Sequence, residues 1–372
     1  MNRLSGILLL AVLMYCCNPA LAQKKAAGFE DLSSAAERAR SENRDDDAIP
    51  LYKRALAIKP GWKEGQWYLG TLLYEKDQYL QAEEVLRRFV AQDANAGPAW
   101  ALLGLSEFET REYPRALEHS RRAMALGMGD RESMKQMVFY HVAILFTRLE
   151  EYDDGMNMLV RMVGSSPDPK SLVEAAGLAG LRMPLLPTEV PADEHDLIRL
   201  AGEAVLATQN GENTEAKFKQ MVSTYGNEPG VHFLYGSYLM PIRPDDAVQE
   251  LKRELEISPH HVLARVRIAE HLLQEQKLDD AISLAQEAVK LGPKVASGHM
   301  ILGESLIAKG SVPEGIKELE KARDLDSSVL RIHWDLLRAY TNSQRTEDAK
   351  HEKTEIEKLM QAEQAKPSQT SD

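Results

Sequence analysis

Cysteine is nearly absent from this 372-residue chain: its two thiols, Cys16 and Cys17, both fall within the first 22 residues. Past that stretch there is no disulfide staple, thiolate nucleophile or cysteine-held zinc to consider. Net positive charge is missing as well. The formal charge of −12 suits neither nucleic acid nor anionic lipid, whose affinity comes from clustered lysine and arginine. The apolar run from Leu4 to Cys17 is fourteen residues long, where a membrane-spanning helix needs about twenty. Mechanism-bearing signatures are lacking too. There is no Gly-Lys-Ser/Thr phosphate loop, no His-Glu-x-x-His helix, no Ser-x-x-Lys and no Gly-x-Ser-x-Gly elbow, and no enzymatic activity is expected.

The first 22 residues read as an export signal. Arg3 supplies a short positive start, the apolar run follows, and Ala20-Leu21-Ala22 places small residues where signal peptidase accommodates them. Cleavage is expected before Gln23. Lipid attachment at Cys16 or Cys17 fits less well, because the bulky Tyr15 stands where a small residue is expected. The expected location is the periplasm or the medium, with no integral membrane segment once the signal is removed.

What the chain has in abundance is self-similarity. Between Val262 and Val329, Ala269, Ala281, Ala288 and Pro293 are followed 34 residues later by Gly303, Gly315, Ala322 and Ser327. Windows of the same length open at Phe29, Lys63 and Gly97, where Ala48, Ala82 and Ala116 keep the interval, as do Gly70 and Gly104. A fixed period of this size means stacked copies of one unit, none able to bury its apolar face alone. Each window holds two amphipathic segments of about a dozen residues around a short polar turn, so the unit is a helical hairpin. Gly70, Gly104, Ala143, Gly236, Ala269 and Gly303 fall in the middle of the first helix. Glycine costs up to ~1 kcal/mol of helix propensity there, a cost that makes sense if the missing side chain lets the second helix approach.

The spacing of Trp100, Leu103, Gly104, Tyr113, Ala116 and Ala123, with the run Ala281, Ala288 and Pro293, resembles the tetratricopeptide repeat. The resemblance covers nearly all of the chain past the signal. It implies an all-α fold of tandem antiparallel hairpins in a right-handed superhelix, with the first helix of each pair lining a concave groove.

On this reading residues 1–22 are signal and 23–28 a short tail. Residues 29–169 form an array of about four repeats, the fourth (Gln136 to Pro169) preceded by five extra residues, Arg131 to Lys135. Residues 170–194 are an unpaired helix and a linker rich in proline (Pro184, Pro187, Pro191). That linker is a rigid spacer, a loop packed into the groove or a hinge; Leu185 and Leu186 argue for packing, and a structural break is the favoured reading. Residues 195–363 form a second array of about five repeats, with copies from His195 and Pro229 preceding the two regular windows and a charged last helix, and 364–372 a disordered tail.

Chemistry-bearing clusters have simpler explanations. Asp47, Asp154, Asp246, Asp280 and Asp348 directly precede the small residue of the second helix, where acids satisfy free amides and complement the helix dipole. His232, His299 and His333 occupy equivalent places in three copies, roughly one hairpin width apart, too far to share an ion. They read as helix-interface residues with one polar edge. No metal or cofactor is expected.

The informative surface is then the groove, lined on this reading by Trp67, Tyr74, Leu105, Phe108, Met137, Tyr140 and Ile144 in the first array and by Phe233, Met300 and Trp334 in the second. Such a lining suits an apolar peptide or helix, although burial between repeats explains the same residues. Arg148, Arg182, Arg199, Arg331 and Arg338 are charged candidates for holding a carboxylate, but no Lys–Asn–Arg clamp is found in one pair of copies. The expected function is a non-enzymatic scaffold that binds another protein or peptide. The alternative is a structural component of an envelope complex, or a self-associating array, with the groove incidental.

Overall fold

The computed structural model describes residues 28–364, apart from 167, 210, 212 and 213. The signal segment, both cysteines, Pro167 and the tail from 365 lie outside the described residues. Those described are all helical, joined by turns, with no strand among them.

Six helices, in three hairpins, precede Gly129: α1 (Phe29–Ser41) with α2 (Asp45–Ile58), α3 (Lys63–Glu75) with α4 (Tyr79–Gln92), and α5 (Gly97–Glu109) with α6 (Tyr113–Leu126). Thirteen follow: α7 (Glu132–Arg148), α8 (Tyr152–Arg161), α9 (Pro169–Gly180), α10 (His195–Gln209), α11 (Glu215–Tyr225), α12 (Val231–Leu239), α13 (Pro244–Ile257), α14 (Val262–Gln274), α15 (Leu278–Leu291), α16 (Ala296–Ala308), α17 (Val312–Leu325), α18 (Leu330–Asn342) and α19 (Thr346–Gln364). The windows expected at Phe29, Lys63, Gly97, Val262, Ala296 and Leu330 each open a helix at that residue.

Small residues do the packing assigned to them. A Cβ added to Gly303 would lie 2.8 Å from Gly315 O and 2.8 Å from Leu319 Cγ, and one on Gly104 would lie 3.1 Å from Ala116 O. The turns share a signature. Asn43, Asp77, Arg111, Glu150, Gln276 and Gln344 are left-handed, with φ between 55° and 67°, and Gly310 serves the same turn at 96°. Each closes the C-terminus of a first helix, and the amide that follows turns back onto it, as Gln78 N does to Leu73 O at 2.8 Å.

That signature relocates the irregular middle of the chain. Arg182 adopts it after α9 (φ 57°), and Met183 N reaches back to Leu178 O at 2.9 Å, so α9 is a first helix. Its partner is α10: a Cβ on Gly177 would sit 1.9 Å from Ile198 O, and one on Gly202 1.9 Å from Val173 O. The sequence reading left α9 alone and paired α10 with α11, whereas the single helix is α11. It is tied to α10 by Lys217 Nζ to Glu203 Oε2 at 2.8 Å and to α12 by Phe218 stacked 5.8 Å from Tyr235. The tally of nine hairpins therefore holds among the described residues, with the pairing moved by one helix.

The proline segment is an ordered connection inside this hairpin. It makes a 3-10 turn at Pro187–Glu189, Leu186 is buried, and Met183, Leu185 and Val190 pack on the cluster of Leu178, Ile198, Phe218 and Leu234. The chain divides instead after Gly129, where Gly127 and Gly129 are both left-handed with nothing near their missing Cβ atoms. The fourth repeat thus belongs to the second compact unit, and the extra residues before it lengthen α7 to seventeen residues.

Candidate functional site

The expected groove residues separate by burial. Leu105, Ile144, Phe233 and Met300 are core residues, buried by hairpin packing, and they do not form an open lining; Met300 reaches only the wall of a cleft beside Arg182 and His261. Trp67, Tyr74 and Phe108 are half-buried, each against a ring of its own hairpin: Trp67 with Phe89 at 6.0 Å, Tyr74 with Tyr79 at 5.6 Å and Phe108 with Tyr113 at 5.9 Å. The last two pairs recur 34 residues apart, which marks them as part of the repeat. Only Met137 (42% exposed) and Trp334 (48%) present most of an apolar side chain to solvent.

Met137 and Tyr140 come together. They lie one turn apart on α7 and line a cleft of about 390 Å³ closed by His141, Met162, Ser166, Asp168 and Ser171. Helix α9 positions the far wall. Asp168 caps it, accepting from Lys170 N at 3.1 Å and Ser171 N at 3.2 Å, and these bonds, led by that of the Ser171 hydroxyl, hold its carboxyl below the usual range. Burial pushes the Tyr140 phenol up to about 12, so it keeps its proton at physiological pH. Burial also lowers His141, and the neutral ring donates from Nδ1 to Met137 O at 2.8 Å. The cleft is therefore an uncharged, thioether- and aromatic-lined hollow with a polar rim of Ser133, Gln136 and Asp168.

The five arginines proposed for a carboxylate are engaged with the chain's own acids. Arg182 pairs with Asp153 at 3.2 Å and lies over the Tyr152 ring, Arg148 faces Glu189 at 3.5 Å, and Arg199 pairs with Asp196 at 2.9 Å. Arg338 pairs with Asp335, and Arg331 bridges Glu270 at 2.6 Å and Glu304 at 2.7 Å. This last network crosses α14, α16 and α18 beside the exposed Trp334. Burial and the neighbouring Asp335 push the Glu304 carboxyl up to about 8 despite Arg331. The sequence reading missed this acid pair, although Glu270 and Glu304 stand 34 residues apart.

The equivalent histidines are interface residues. Nδ1 lies 2.5 Å from Glu250 in His232, 2.6 Å from Glu318 in His299 and 2.6 Å from Glu352 in His333, each bond joining a first helix to the second helix of its own hairpin. The aspartates sit in the first turn as expected. The capping bonds do not follow: where a cap residue is described before these helices, no side chain accepts from the free amides, and Asp47 pairs with Arg44 instead. Their contribution is to the dipole.

Stacked two-helix units, closed by one turn type and packed through small residues, define a helical repeat protein. Tetratricopeptide-repeat family models match residues 39–105 and, with a second model, 243–296 and 266–330, and the chain is a tetratricopeptide-repeat protein. No curated protein matches it. Among solved structures it is similar to MamA 41-end from Desulfovibrio magneticus RS-1 (21% identity over 46% of this chain and 97% of that one, TM-score 0.38). It is also similar to the APC/C Cut9–Hcn1 hetero-tetramer (13%, 90% and 67%, 0.41) and to yeast Tom70 (11%, 89% and 91%, 0.34). The assignment rests on the repeat itself.

Proposed function

We propose that this chain is an exported, non-enzymatic scaffold that captures an apolar segment of another protein in the cleft around Met137 and Tyr140. The observation that carries the reading is the juxtaposition of an exposed methionine and a buried, protonated tyrosine over a hollow of about 390 Å³. Methionine adapts its shape to an incoming side chain, and the phenol supplies one directional hydrogen bond. Because α7, α8 and α9 hold the cleft before a partner arrives, little ordering entropy is lost by the scaffold on binding.

A photo-crosslinking residue at Met137, followed by mass spectrometry, tests this directly. One protein should be captured, and Met137→Glu with Tyr140→Ala should weaken its binding at least about tenfold without changing the helical circular dichroism. Undiminished capture by a folded double variant would falsify the cleft. Export is tested separately by sequencing the mature amino terminus, which should begin at Gln23.

A further inference from the structure

In two repeats the seam between neighbouring hairpins is closed by the same ion pair. The second residue of a second helix, an aspartate, meets a lysine thirty residues later at the C-cap of the following first helix. Asp46 pairs with Lys76 at 3.1 Å and Asp279 with Lys309. Asp153 and Arg182, 29 residues apart, make a close variant.

At one seam the sign is reversed. Asp245 holds the aspartate place on α13, and thirty residues on the C-cap of α14 is Glu275 rather than lysine. Two carboxylates then face each other where the other repeats oppose an acid to a base. Between them stands His271, whose side chain is only 9% exposed. Its Nε2 lies 3.5 Å from Asp245 Oδ1 and 3.6 Å from Glu275 Oε2, beyond the roughly 2.7–3.2 Å of a formed hydrogen bond. Those separations are close to the edge of a tetrahedral zinc site, about 3.3–3.5 Å for bonds of ~2.0–2.1 Å. One ligand atom from each residue falls within 4.8 Å of the other two.

We infer that Asp245, His271 and Glu275 bind a divalent transition-metal ion of the zinc type, which replaces the lysine of the other seams and ties α13 to α14. The imidazole selects zinc over calcium or magnesium, which prefer an all-oxygen set. His271 and Glu275, four residues apart, project from one face of α14, so two ligands are preset by the helix. Asp245 is exposed and gives the ion a route in. Lys277, now 2.7 Å from Glu275 Oε2, is a flexible surface side chain that the ion displaces.

The test is thermal unfolding and calorimetric titration of the tag-free full chain with zinc chloride after chelator treatment, with magnesium chloride as the comparison. Saturating zinc should raise the midpoint by about 2–5 °C, and magnesium should not. His271→Ala should weaken zinc binding at least about tenfold. Glu275→Lys rebuilds the acid–base seam, so it should abolish the zinc response while leaving the metal-free midpoint no lower. The proposal is overturned if wild type shows no zinc-dependent shift, or if Glu275→Lys responds as wild type does.

Discussion

The regular hairpins α14 to α19 and the irregular segment α9 to α11 solve one packing problem with different visibility in the sequence. In the first, Gly303 admits Leu319 and the Gly315 carbonyl at 2.8 Å, and its 34-residue relatives announce it. In the second, Gly177 and Gly202 bring backbone against backbone, with missing Cβ positions 1.9 Å from carbonyl oxygens, and no counterpart at the repeat interval points to them. The period therefore reports the register of the copies, and close helix approach does not need it. Tighter packing is found where the pattern is weaker.

The largest expected effect separates these two kinds of glycine. Gly202→Ala should cost about 3 kcal/mol or more, because the methyl meets a fixed carbonyl and α9 and α10 must part. Gly303→Ala should cost about 1 kcal/mol or less, since the Leu319 side chain can turn and alanine recovers some helix propensity. Array unfolding is not a single transition, so hydrogen exchange in α9–α10 and α16–α17 is the measurement to compare. Equal loss of protection at the two sites would erase the distinction.

These elements also show what was legible beforehand. The helix starts at Phe29, Lys63, Gly97, Val262, Ala296 and Leu330 were readable because one small-residue constraint recurs in every regular copy. The pairing of α9 was not, because fourteen residues separate α9 from α10 where other turns are only a few residues long, and the prolines within that stretch looked like a boundary. The true division, at Gly127 and Gly129, carried no such density. In the site, Met137 and Tyr140 were identifiable as off-stripe residues of α7. Leu105, Ile144, Phe233 and Met300 were not distinguishable from them, since helix periodicity says which residues share a face and not which face a neighbour will cover.

Charge gives a second contrast. The α9–α12 core is built mostly from apolar side chains, whereas α16 and α18 carry Glu304 against Asp335. A carboxyl raised from 4.5 to about 8 in the folded chain binds protons that the unfolded chain has already lost. Stability should therefore fall as pH rises between roughly 5 and 8, by on the order of 1 kcal/mol per unit, and level off above the folded value. Exchange protection in α16 and α18 should decline over that window while α9 and α10 hold theirs, and Glu304→Gln should flatten the decline. A parallel pH response in both regions, surviving Glu304→Gln, would assign the effect elsewhere.

The smallest effect tests whether α9 ends as the regular first helices do. Arg182 and Gly310 occupy the same left-handed turn position, at φ 57° and 96°, and a side chain costs about 1 kcal/mol in that conformation. Gly310→Ala should therefore lower stability near α16–α17 by about 1 kcal/mol. Arg182→Gly gains the same conformational relief but loses the Asp153 pair and the stacking on Tyr152, each worth roughly 0.5–1 kcal/mol, so the net change should be near zero or slightly unfavourable. Adding Asp153→Ala isolates the backbone contribution: on that background Arg182→Gly should lose only its stacking and come out neutral to stabilising. If Arg182→Gly is strongly destabilising even there, the turn after α9 depends on the arginine side chain, and the equivalence with Gly310 that places α9 among the first helices is broken.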